Sequence, residues 1–146
     1  SFREAPVLIE AFRQLRRRPD VVMLDGQGIA HPRRFGLACH LGLWLDLPCF
    51  GCAKSRLIGM HAEPGGRPGS TSQLVVKNDV VGCVMRTRRG CRPLFVSVGH
   101  RIDLPGAVRL TTAATRGRRI PEPLRIAHDE VNAYRRQQES VKTGHE

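Results

Sequence analysis

Asp25 follows four apolar residues, Val21–Leu24, and precedes Gly26–Gln27–Gly28–Ile29–Ala30–His31–Pro32–Arg33–Arg34. A short apolar run bounded by glycines reads as a buried strand. Asp25 then stands at its carboxyl end, where open α/β sheets place ligands. Gly26 and Gly28 carry no Cβ, so a backbone or a flat ligand can come close. Pro32 suits the first turn of a following helix. An acid at a strand tip beside a cationic helix start is the arrangement that metal-assisted phosphate chemistry requires. Two other readings compete. A dinucleotide fingerprint needs a small residue where His31 stands and no acid between strand and glycines, so it fails. A plain strand–turn–helix in which Asp25 only caps the helix remains open.

The elements that must position these residues follow from periodicity and breakers. Residues 5–17 place Ala5, Leu8, Ile9, Phe12 and Leu15 at helical spacing, until Pro19–Asp20 ends the segment. Strand 21–25 comes next, then a helix over 33–46 that is apolar almost all round. A strand is expected at 49–53, a Gly/Pro loop at 63–70, and strands near 73–77, 80–87 and 93–99. Helices near 104–115 and 123–138 close a single domain, 1–138, and the polar residues 139–146 are expected to be a disordered tail.

The 146 residues suffice for one domain, and Lys+Arg of 24 against Asp+Glu of 13 gives a net charge of +11. Such a balance points to a polyanionic partner. No apolar run approaches a membrane span and no secretory pattern is present, so nucleic acid is the expected partner, with no membrane. The charge is mostly arginine; Lys54, Lys77 and Lys142 are the only lysines. The five cysteines are an odd set, and Cys49–x–x–Cys52 lies in an apolar strand without a second such pair. Small buried thiols are the expected reading, in a reducing, cytoplasmic setting.

Ser1–Phe2–Arg3–Glu4, the Asp25–Arg33 segment, Gly51–Cys52–Ala53–Lys54, Gly99–His100–Arg101, Pro121–Glu122–Pro123 and Ala127–His128 follow one another in order. Together they resemble the endonuclease V family of deoxyinosine-directed nucleases, from Ser1 to about Tyr134. The resemblance implies an α/β fold, a ribonuclease-H-like mixed sheet flanked by helices. It also implies an essential aspartate on a first strand and a wedge loop before Ser–Phe–Arg–Glu. This chain opens at Ser1, so its first strands are expected to be missing.

By the same resemblance, Glu4 and Asp25 match the family's metal acids, for Mg2+ or Mn2+, and Lys54 its active-site lysine. His31 matches a histidine near the substrate, and His128, in the matching Ala127–His128 pair, one near the metal or the attacking water, whereas His100 has no evident role. Gly26, Gly28, Gly36, Leu37, Gly51 and Leu57 match the lining of a slot for an extruded base. Each has a plainer reading. Ser1–x–x–Glu4 has capping-box spacing, against which Pro6 argues by placing the helix start near itself. Lys54 fits a solvated lysine, His31 a helix cap, His128 a packed residue on the inward side of the last helix, and the glycines tight turns.

The function implied is a magnesium-dependent endonuclease, a monomer, cutting inosine-bearing nucleic acid on the 3′ side, with DNA favoured and RNA admitted. A catalytically incomplete nucleic-acid-binding module is the alternative. A structural subunit completing a separately encoded half is a third.

Overall fold

A computed structural model describes residues 3–144. In chain order these form α1 (Glu4–Arg13), β1 (Val22–Leu24), α2 (Leu37–Leu45), β2 (Cys49–Ala53), β3 (Thr71–Val76), β4 (Asp79–Met85), β5 (Leu94–His100), α3 (Leu104–Ala114) and α4 (Glu122–Thr143). The strands make one five-stranded sheet in the order β1-β2-β5-β4-β3. β1 and β2 run parallel, with Leu24 opposite Gly51, and the remaining neighbours are antiparallel. This is the mixed, helix-flanked sheet the sequence leads one to expect.

Side-chain alternation along the strands sets the two faces. Val22, Leu24 and Cys49 turn toward Ala38 and Leu41 of α2, with Leu8, Ile9 and Phe12 of α1 behind them. Phe50, Cys52, Leu94 and Val96 turn the other way, onto Ala107 of α3 and Leu124 of α4. Burying a side chain the size of Leu41 or Phe50 contributes about 1.5–3 kcal/mol, and both are almost fully inaccessible. A further cluster, Ala30 with Ala53, Leu74, Val84 and Phe95, pins the segment after Asp25 to the sheet.

Several boundaries differ from expectation for identifiable reasons. α1 begins at Glu4 rather than near Pro6; Pro6 then occupies the first turn, where its missing N–H has no helical partner to lose. α1 stops at Arg13, ahead of the cationic run Arg16–Arg18 and the pre-proline restriction on Arg18. α2 starts at Leu37, not 33, because Arg34 adopts φ 56° and Gly36 is extended. Pro32 therefore belongs to a turn and not to the helix. α4 runs on to Thr143, through most of the expected tail, since Gln, Glu and Lys favour helix and no breaker intervenes. Ser1, the alternative cap for Glu4, and residues 145–146 of that tail lie outside the described residues.

Candidate active site

Because β1 and β2 are parallel neighbours in register, the residues that follow them emerge at the same end of the sheet. Those residues are Asp25 and Lys54, and Nζ of Lys54 lies 3.0 Å from Oδ2 of Asp25. The two side chains keep 50% and 40% of their surface exposed. A pair so open to solvent adds little to stability. It presents a carboxylate and an ammonium to whatever binds there.

The surrounding backbone is fixed by the sheet. Gly28 N–H donates to Ser97 Oγ at 2.8 Å and Ile29 N–H to Val98 O at 2.8 Å. Gly36 N–H donates to Gly28 O at 3.0 Å and Ala38 N–H to Gln27 O at 3.1 Å. Gln27 Nε2 crosses to Ser55 O at 3.1 Å and joins the two site segments. Beneath Lys54, Arg119 forms a fork: Nη2 donates to Lys54 O at 2.8 Å and Nε to Arg92 O at 2.8 Å. Ser97 is a buried polar residue on β5, and neither it nor Arg119 carried a sequence signal, since one serine or arginine among many looks like any other.

The glycines divide into two kinds. A Cβ on Gly28 would meet Val98 O and Ser97 O, on Gly36 it would meet Gln27 O and Gly28 O, and on Gly51 it would meet Gly26 O. Their missing side chains make room for the chain's own backbone. Gly26 differs, since a Cβ there would touch only Leu37, at 3.8 Å. Leu37 is half-buried and Leu57 is 53% exposed.

His31 Nδ1 accepts from Arg33 N–H at 3.1 Å, which braces the turn and leaves Nε2 as the protonated nitrogen of the neutral ring. Glu4 opens α1 with an exposed side chain, and among the described residues it makes no ion pair. His128 is exposed on a helix without buried residues, not inward-facing. No three His, Cys, Asp or Glu side chains converge as a metal site among the described residues.

The remaining motifs are structural. Cys49 and Cys52 belong to opposite faces of the sheet, so they cannot chelate one ion together. Burial pushes the Cys49 thiol up to about 11 and the Cys52 thiol up to about 12. His100 Nε2 lies 3.0 Å from Asp46 Oδ1 and Arg101 3.3 Å from Oδ2. His100 pairs with Cys49 across the sheet, placing this cluster at the end away from Lys54. Glu122 takes two bonds from Arg125, at 2.7 and 3.1 Å, and these hold its carboxyl below the usual range.

A family model of Endonuclease V matches residues 1–129. An Endonuclease V from Dehalococcoides mccartyi is 54% identical over 128 residues, 88% of this chain and 57% of that protein. The chain belongs to the endonuclease V family. Among solved structures, the Endonuclease V of Streptomyces avermitilis is 43% identical with a TM-score of 0.86, covering 96% of this chain and 60% of that one. The Endonuclease V of Ciona intestinalis, in complex with a DNA containing an inosine followed by a ribo-adenosine, is 29% identical with a TM-score of 0.72, covering 93% and 62%. The chain thus spans about three fifths of the length of the endonuclease V proteins it matches. No helix among its described residues is long and apolar enough to cross a membrane.

Proposed function

We propose that this chain carries the reacting centre of a divalent-metal-dependent endonuclease that acts on inosine-bearing nucleic acid and cuts on the 3′ side of the lesion. The observation that supports this best is the Asp25–Lys54 pair at the ends of two parallel strands, beside a glycine loop held rigid by backbone bonds. Asp25 offers the hard oxygen that Mg2+ or Mn2+ prefers, with Glu4 as its partner acid. The cation would polarise the phosphate and activate a water. Lys54 supplies a point charge for the scissile phosphate. His31, whose Nδ1 is taken by Arg33 N–H, keeps Nε2 for the substrate, and His128 is a solvent-accessible acid–base candidate on α4.

The base slot is formed by Gly26, Leu37 and Leu57, while Gly28, Gly36 and Gly51 let backbone strands approach closely enough to shape it. An extruded base would be read there by main-chain groups. The inosine-bearing DNA on the Ciona intestinalis relative supports that substrate class. A monomer acting in the cytoplasm fits a base-repair role.

One observation favours the second reading, a binding module without catalysis: the described residues hold no complete set of three metal donors. Nicking of an inosine-bearing duplex in magnesium, against the same duplex with adenosine and against chelator, separates the two. Magnesium-dependent nicking confined to the inosine duplex is expected when this chain is supplied with the first-strand aspartate that the family resemblance implies. Tight inosine-selective binding without nicking would replace the enzyme with the binder.

A further inference from the structure

The two segments that carry the site, joined by Gln27 and Ser55, diverge as they leave it. One continues through His31 and Pro32 to Arg34, the other through Leu57 to Met60. Between them lies a cleft of about 500 Å3, walled by Pro32, Arg34, Ile58 and Met60 and floored by Val75, with Lys77 at its rim. Met60 is tied to the outer edge of β3 by paired backbone bonds with Val75, at 2.8 and 2.9 Å. Its side chain nevertheless remains 74% exposed.

Two features of this cleft ask for a ligand. It has two cations and no acid among its lining residues. Nη1 of Arg34 is buried and has no hydrogen-bond partner, so the guanidinium has a bond to gain by turning toward an acceptor in the cleft. Lys77 is presented there by the two-residue β3–β4 hairpin, in which Lys77 and Asn78 both take the left-handed backbone that such a turn requires, φ 48° and 69°. The walls otherwise offer flat apolar surface from Pro32, Ile58 and Met60. Cation plus apolar platform is the chemistry that recognises a nucleotide, phosphate on the guanidinium and base on the platform.

We infer that this cleft is a subsite for a nucleotide of the bound strand flanking the one held at Asp25 and Lys54. The inference rests on the proposed function, because only a nucleic-acid strand passing between the two segments would run from one site into the other. Arg34 takes a phosphate oxygen, Lys77 adds a second charge at the rim, and Met60 and Pro32 sandwich the base. Recognition here is independent of base identity, since every base has a flat face.

The test is binding of an inosine-bearing oligonucleotide, followed by fluorescence anisotropy in chelator so that no cleavage intervenes. Substituting Arg34 risks the fold of the turn, so the variants are Met60→Ala and Lys77→Asn, the latter because Asn tolerates the left-handed backbone. Met60→Ala should weaken binding by up to about tenfold through lost apolar contact with the base, for inosine and adenosine oligonucleotides alike. Lys77→Asn should lower the slope of log affinity against log salt by about 0.7. An abasic residue next to the inosine should weaken the wild type and leave Met60→Ala indifferent. If the wild type prefers inosine but both variants match it, the subsite is overturned and the proposed function stands. If the wild type shows no inosine preference, the proposed function fails and the subsite with it. If a free mononucleotide competes as well as the oligonucleotide, the cleft serves free nucleotides and the strand subsite is overturned.

Discussion

At the scale of single residues, Asp25 and Lys54 form an ion pair open to solvent, and the proposed function has them part when a substrate binds. Asp25→Asn keeps the shape and removes the charge that a divalent cation requires. Nicking should fall on the order of a thousandfold, since loss of metal-assisted stabilisation is worth several kcal/mol, while inosine binding in chelator stays measurable. Single-turnover nicking checks the first expectation and anisotropy the second; undiminished nicking removes Asp25 from the metal site. Asp46 gives a pH prediction at the far end of the sheet. The hydrogen bond from His100, then the charge of Arg101, holds its carboxyl below 3.8. A depressed folded pKa contributes stability above the unfolded value and loses it as pH falls through the folded one. The melting temperature of the wild type should exceed that of Asp46→Asn near about pH 7, and the gap should close toward about pH 3. A gap independent of pH would make the contribution non-electrostatic. Asp25 was legible from the apolar run it follows, whereas Lys54 was reached only through the family resemblance, and their pairing depends on the parallel register of β1 and β2. Glu4 and His128 were legible as types, but their relation to Asp25 depends on how separate helices pack, which spacing along the chain does not encode.

At the scale of elements, the glycine loop shows why a motif can be read correctly and its glycines assigned too much. Gly51 lies on β2 where the loop after β1 crosses it, so a methyl group there would displace Gly26 O and Gly28 N. Gly51→Ala should destabilise by about 1–3 kcal/mol, the range for overpacking. Gly26→Ala should change stability by no more than about 1 kcal/mol and instead weaken inosine binding, because its side faces open space beside Leu37. Urea denaturation and anisotropy on the same pair of variants test this division. Equal stability for both would show that the loop can shift. The strand pattern was readable because β2 is buried along its whole length, and β4 and β5 are likewise short apolar runs, buried over Val81–Met85 and Leu94–Ser97. The starts of α1 and α2 were not, because Pro6 and Pro32 are compatible with a first turn, and the left-handed Arg34 that delays α2 has no signature in a residue type that disfavours it.

At the scale of the molecule, the net charge of +11 matters through where it lies. Register places Ala53 opposite Phe95 and Met85 opposite Leu94, so the β4–β5 connection, with Arg88, Arg89 and Arg92, stands at the same end as Lys54. Arg119 ties the α3–α4 connection to that end through Arg92 O and Lys54 O, bringing Arg116 and Arg118 with it. All five of these arginines are exposed. Arg16 and Arg17 stand near the other end, since Arg18 donates to Leu45 O and Asp46 O. A strand bound across Asp25 and Lys54 would therefore meet this group of exposed arginines at the Lys54 end. Each phosphate neutralised on a duplex adds about 0.9 to the negative slope of log affinity against log salt. Binding to an inosine duplex should weaken on the order of a hundredfold or more between about 50 and 200 mM salt. Removing Arg88, Arg89 and Arg92 together should lower the slope by about 2–3. Removing Arg16 and Arg17 should leave it unchanged, although both variants lose charge. Equal slopes for the two variants would mean that affinity follows total charge, and the strand's course over the Lys54 end would have to be abandoned.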